Sequence, residues 1–214
     1  MKNVIKVLLV VSITLFAYQS HAQSVSFKGG VTLANMYDED DNGTRSDDYD
    51  MNAGFHVGAL FAVPISDIVS IEPGIVFTTK GMKTETTILG SDIEMNANLY
   101  YVDVPITIRT TFPVSNNVSL YANAGPYVGV GISGNTLWSN DAGDEETDIE
   151  WGSDENEDDM KRLDAGITVG AGLEINSILL GASYDYGLAN ISAYQGSGTL
   201  MQNRVLKISV GYKL

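Results

Sequence analysis

Residues 38–50 read DEDDNGTRSDDYD. The first six match the opening of a calcium loop, D-x-[DN]-x-[DN]-G. In such a loop side-chain oxygens come from positions 1, 3 and 5, a glycine turns sharply at 6, and a carbonyl is offered at 7. Asp38, Asp40 and Asn42 fill the oxygen positions, Gly43 the turn and Thr44 the carbonyl position. The closing ligand is missing, because position 12 calls for a bidentate glutamate and holds Tyr49. Asp48 completes the set only on a different loop path. The metal reading is thus a weak Ca2+ site at Asp38, Asp40, Asn42, Thr44 and Asp48. The preferred reading is an acidic hairpin tip kept in solution by its charges, with no cofactor. A second acidic run, residues 141–159, lies between Trp138 and Trp151. Should the two runs meet, their repulsion favours divalent cations held diffusely rather than in one cage.

Groups for catalysis are scarce. His21 falls in the leader described below, which leaves His56 as the remaining histidine. A surface hydrolase would need His56 beside a Ser or Asp, and Asp103 qualifies only on one strand register. A hydrogen-bonded histidine within the packing is the simpler expectation, so no catalytic residue is assigned and the chain is read as a non-enzyme. The stretch GVGISG, residues 129–134, matches G-x-G-x-x-G. A dinucleotide site needs a helix to start there, and a polar loop follows instead. These glycines are expected to thin a wall where Tyr121 and Tyr127 fill the interior.

The elements that would position these groups are strands. The chain opens with Lys2 and Lys6, an apolar run over residues 7–18, and SHAQS, the layout of an export signal cleaved after Ala22. Residues 23–214 then form one domain. Its apolar residues alternate with period two in eight segments, centred near Val31, Ala59, Ile75, Val104, Ala124, Val169, Ala182 and Ser209. Each is long enough for the roughly 9–11 residues of a tilted bilayer-crossing strand, and an even number permits closure without raw edges. Tight turns at 64–67, 112–117 and 175–177 alternate with long polar connections at 37–51, 81–97, 133–161 and 189–203. This predicts an all-β fold: an eight-stranded antiparallel up-and-down transmembrane β-barrel with short periplasmic turns and long extracellular loops.

Alternation does not by itself say which face is inside. A soluble lipocalin-like barrel would turn Val104, Ile106 and Ile108 inward. A membrane barrel turns them outward and places Lys28, His56, Glu72, Lys80, Asp103, Arg109, Asp164 and Glu174 in the lumen as a polar network. The membrane form is expected, because the second face is too charged and too glycine-rich for a dry core. Tyrosines outnumber the other aromatics, 11 against 6 Phe and 2 Trp. Tyr37, Tyr100, Tyr184, Tyr186, Tyr194 and Tyr212 suit interfacial girdles. The net charge of −15 argues against nucleic acid as a partner.

Several stretches carry a family resemblance: FKGGVTLANM (27–36), EPGIVFTTKG (72–81), YYVDVPITIRTTF (100–112), YANAGPYVGVGISG (121–134) and ASYDYGLANIS (182–192). Together they resemble the PorT-type, or porin-family, outer-membrane β-barrel proteins of Gram-negative bacteria, over about residues 27–214. The resemblance implies a small barrel in the outer membrane in contact with its lipid. It leaves open whether the role is structural and interactive (membrane integrity, adhesion, or membership of a surface or secretion complex with other proteins) or that of a narrow channel. A surface enzyme and a soluble ligand binder are the remaining alternatives.

Overall fold

The computed structural model describes residues 24–41, 43–44, 49–88, 91–140, 143–154, 157–194 and 198–214. The export signal expected over residues 1–22 lies outside the described residues.

Eight strands close into a ring: β1 (Ser24–Asp40), β3 (Asn52–Pro64), β4 (Val69–Ile88), β5 (Ser91–Ser115), β6 (Val118–Asn140), β8 (Leu163–Ile175), β9 (Ile178–Gly187) and β10 (Leu200–Lys213). Each pairs antiparallel with the next around the ring. The seam between β1 and β10 runs from Ser26↔Lys213 to Glu39↔Leu200. Two further strands, β2 (Gly43–Thr44) and β7 (Gly143–Asp148), fold back on β1 and β6. Tight turns join β3 to β4, β5 to β6 and β8 to β9; at the last of these Asn176 takes a left-handed φ of 54°, a conformation that asparagine tolerates in turns.

The orientation follows the membrane expectation. Val104, Ile106 and Ile108 are 45%, 52% and 57% exposed, while Lys80 beneath the same wall is 0% exposed. Phe55, Val169, Ile208 and Val210 also face outward. With so many large apolar side chains on its outer surface, the wall needs lipid rather than water against it.

The long connections differ from expectation in one respect. Residues 81–97 are not a loop: β4 and β5 continue as a ladder to Ile88↔Ser91. Much of 133–161 is likewise strand, in the end of β6 and in β7. β5 alone has 25 residues, or roughly 80 Å at about 3.3 Å per residue, against the roughly 9–11 that a bilayer needs. β4, β5, β6 and β7 therefore project past the barrel as a four-stranded sheet. Ile93, Met95, Ala97 and Leu99 of β5 alternate with Glu94, Asn96 and Asn98 over a stretch shorter than a bilayer-crossing strand, while the β4 and β7 parts are largely polar. Threonines of β4 such as Thr84 and Thr86 supply strand propensity instead.

Candidate functional site

The inward residues of the barrel meet in two ionic layers. In the layer nearer the long hairpins, Lys80 of β4 lies between Asp103 of β5 and Asp164 of β8. Its Nζ is 2.9 Å from a carboxylate oxygen of each, and it sits 4.6 Å from the ring centres of both Tyr101 and Tyr127. Asp164 also accepts from the Tyr127 hydroxyl at 3.2 Å and the Asn203 amide at 2.9 Å. Lys207 of β10 extends the layer, 2.5 Å from Asp185 and 3.9 Å from Asp103. Gly129 makes room for it, because a Cβ there would overlap the Asp103 carboxylate.

In the layer nearer the tight turns, Arg109 of β5 reaches Glu72 of β4 at 3.2 Å and Glu174 of β8 at 2.6 Å. Lys213 also pairs with Glu174. The Arg109 guanidinium lies 4.1 Å over the Tyr121 ring, and that hydroxyl occupies the space a Cβ at Gly172 or Gly181 would need. Lys28 stands on the other approach to Tyr121, 5.3 Å from its centre.

Between the layers is a cavity of about 70 Å³ lined by Lys28, His56, Tyr121, Tyr127, Asp185 and Lys207, among others. That is room for a few water molecules and little more. His56 Nε2 lies 2.9 Å from Ser209 Oγ, while its Nδ1 has no protein partner. The ring therefore faces a serine hydroxyl; Asp103 is engaged instead with Lys80 and Lys207.

Above the Lys80 layer the mouth is apolar. Met36, Met82, Ala97, Leu99, Tyr101, Ile149 and Ile191 are buried together, with Tyr49, Trp151 and Met160 packed on them. Ile149, Trp151 and Met160 come from the acidic third connection, which folds back into the mouth rather than standing wholly in solvent. Trp151 meets Tyr101 edge to face at 5.6 Å and fills the space beside Gly131 that a Cβ would take.

All eight expected lumenal residues thus face inward. Six of them join the two ionic layers, while His56 and Lys28 line the cavity. Asp185, Lys207 and Asn203 were not singled out from sequence, although each stands at an inward position of its alternating strand. The Trp151 cap carries no periodic signal at all. Trp138, at the start of the acidic run, lies on the projecting sheet paired with Met95 and Glu145.

Of the calcium-loop residues, Asp38 is buried and accepts from the Tyr49 hydroxyl at 2.7 Å. The residue that displaces the closing glutamate therefore occupies the first ligand. Asp40 pairs with Gly43 and Glu39 with Thr44 in the β1–β2 hairpin, where Gly43 has a φ of 139°. Asn42 and Asp48 lie outside the described residues. Among the described residues no three His, Cys, Asp or Glu side chains gather as a metal site.

On the outer wall, Tyr184, Tyr186 and Tyr212 are exposed, Tyr212 beside the last tight turn through its pair Ile178; Tyr194, also exposed, lies in the connection between β9 and β10. Tyr100 stacks on Phe77 at 6.0 Å, and Phe77 tilts against Phe55 at 5.5 Å. The Arg204 guanidinium lies 3.7 Å over Tyr186 and 5.5 Å from the Tyr37 ring centre.

Residues 17–193 match the family model described as outer membrane protein beta-barrel domain. No curated protein matches the chain. Among solved structures, similarity is found to Ail, the attachment invasion locus protein of Yersinia pestis, in complex with the heparin analogue sucrose octasulfate: 17% identity, TM-score 0.40, covering 90% of this chain and 99% of that one. Neisserial surface protein A is similar at 12% identity and TM-score 0.42, covering 90% and 96%. OprG from Pseudomonas aeruginosa is similar at 15% identity and TM-score 0.40, again covering 90% and 96%.

Proposed function

Because the chain belongs to the outer membrane protein beta-barrel domain family and resides in the outer membrane, we propose that it is a closed, non-enzymatic barrel whose task is to hold a sheet platform clear of the membrane for contact with other proteins. The long hairpins are assigned to the cell exterior. The platform then serves adhesion or membership of a surface complex, and the barrel beneath it contributes to membrane integrity.

The observation that carries this reading is the continuation of β4–β7 past the barrel. Strands of 20, 25 and 23 residues far exceed what anchoring requires, and much of the excess is polar. β7 (GDEETD) is exposed along its whole length and pairs within the sheet only with β6. The lumen supports the same reading: two ionic layers and the apolar cap leave only small voids, and an eight-stranded barrel has interior just wide enough for side chains.

The test trims the platform. Replacing residues 84–94 and 136–147 each by an Asn-Gly turn should leave a barrel with native heat-modifiable mobility. It should also abolish crosslinks formed in whole cells from a photoreactive residue placed at Leu137 in the untrimmed chain, or at the new turn in the trimmed one. Unaltered crosslinking after trimming would refute the platform. Steady single-channel conductance of the untrimmed protein in planar bilayers would favour the channel reading instead.

A further inference from the structure

The lipid-facing wall carries one cation that its ionic networks do not use. Residues 202, 204, 206, 208 and 210 of β10 alternate with buried Asn203, Val205 and Lys207, so Arg204 points outward beside Leu206 and Ile208. An arginine on that face is strongly disfavoured at the bilayer midplane and tolerated only near the interface. The rings around it agree: Tyr186 and Tyr37 take its two sides, and such amphipathic rings belong at headgroup level.

Three contacts hold the guanidinium. Nη1 donates to the carbonyls of Gly187 at 2.7 Å and Asn203 at 2.9 Å, and Nη2 donates to Gln202 Oε1 at 2.8 Å. A guanidinium has five N–H donors in a fixed fork. Among the described residues Nε–H and one Nη2 hydrogen have no partner, two donors on neighbouring nitrogens that a phosphate can accept from. Arg109, Lys80, Lys83, Lys207 and Lys213 each have a carboxylate; among the described residues Arg204 is ion-paired to none. The Glu39 carboxylate, on the far side of the Tyr37 ring, is taken by the Tyr37 hydroxyl.

Beside it is a cleft of about 190 Å³ whose lining includes Leu33, Tyr37, Met51, Tyr184, Arg204 and Leu206. The cleft is apolar along Leu33, Met51 and Leu206 and cationic at one end. An anionic head with a hydrocarbon tail matches that arrangement, and a soluble anion would leave the apolar part exposed. We infer that Arg204, flanked by Tyr37 and Tyr186, binds the phosphate of a phosphorylated lipid in the leaflet at the long-hairpin end, with the lipid's acyl chain lying along Leu33 and Leu206. This site is independent of the platform.

Native mass spectrometry of the full chain in detergent, titrated with phosphatidic acid and separately with diacylglycerol of the same chains, tests it. The phosphate should give retention at least about tenfold tighter, the value of one charge-assisted bidentate contact. Arg204→Gln should erase that difference, and Arg204→Lys, which keeps the charge but loses the fork, should restore only part of it. Tyr37→Leu leaves all three guanidinium hydrogen bonds in place and should also weaken retention, so the site stays testable if Arg204→Gln fails to fold. Equal retention of the two lipids by the unaltered protein overturns the inference. So does undiminished preference for phosphatidic acid in folded Arg204→Gln or, should that variant not fold, in Tyr37→Leu.

Discussion

Lys80→Met is the perturbation that weighs most on the lumen. Both carboxylates it leaves behind are out of solvent, with side chains 3% exposed at Asp103 and 0% at Asp164. Removing one member of a buried ion pair costs about 3–5 kcal/mol, because the abandoned charge has neither water nor a counter-ion. The surviving partners blunt this unevenly. Asp164 keeps two neutral donors, Tyr127 and Asn203, while Asp103 keeps only Lys207, at 3.9 Å. A further ~1 kcal/mol goes with the cation over Tyr101 and Tyr127. The expected loss is therefore about 4–6 kcal/mol, read from urea unfolding of the refolded barrel in lipid vesicles, by tryptophan fluorescence and by heat-modifiable mobility. Two companions calibrate it. Lys83→Met removes an equally short pair of contacts, to Glu85 and Glu94, but these are solvent-exposed and screened, so the loss should be far smaller than at Lys80. The triple variant Lys80→Met with Asp103→Asn and Asp164→Asn should recover most of the loss, since neutral replacement of a buried ionic set is often costless. A Lys80→Met loss no larger than that of Lys83→Met would refute the reasoning.

Other outcomes follow from the same geometry. Gly131→Val should push the Trp151 ring out of the mouth at about 1–3 kcal/mol, seen as a red shift of its emission in a Trp138→Phe background. Trp151→Ala should still give no steady conductance in planar bilayers, because the Lys80 and Arg109 layers remain below the cap. Ile106→Arg, at mid-wall between those layers, should cost about 2–4 kcal/mol in refolding free energy and Phe27→Arg, near the tight-turn rim, about 0–1. On the platform, Lys83 and then Asn96 hold the Glu94 carboxyl below the usual glutamate range. A depressed folded value means that the contribution of Glu94 is complete above the ordinary glutamate value and fades as pH falls through the lowered one. Amide exchange in the β4–β5 hairpin should accelerate only there, and Lys83→Met should move that onset upward.

The barrel was legible because one physical rule, apolar residues toward lipid and ionic ones toward the lumen, writes itself into every second residue. Ile106 and Arg109 fall on opposite faces by parity alone, and no packing detail is needed to sort them. The pairing of Arg109 with both Glu72 and Glu174 was not legible, since it depends on register across β4, β5, β6 and β8. Lys207 and Asp185 have the right parity, but their pairing with each other and with Asp103 depends on the register of β5, β9 and β10, which parity does not give. The projecting sheet was not legible for a different reason: the apolar alternation over residues 93–99 is too short to read as a wall strand, and Thr84, Thr86 and Thr136 need not alternate with anything. The cap was hidden because Trp151 and Ile149 are anchored by contacts with distant Gly131, Tyr101 and Met36, and an acidic neighbourhood argues for solvent until those contacts are seen.

The β1–β10 seam has a consequence for how the molecule is made. Ser26 and Lys213 are register partners, so the two strands that finish the cylinder are separated by the six other wall strands along the chain. Until the final strand arrives, the chain is an open ribbon with two raw borders, one on β1 and one on β9, each able to zip onto another molecule. Closure therefore waits on residues 200–213, and a chain lacking them is expected to clump through its open borders rather than form a smaller pore.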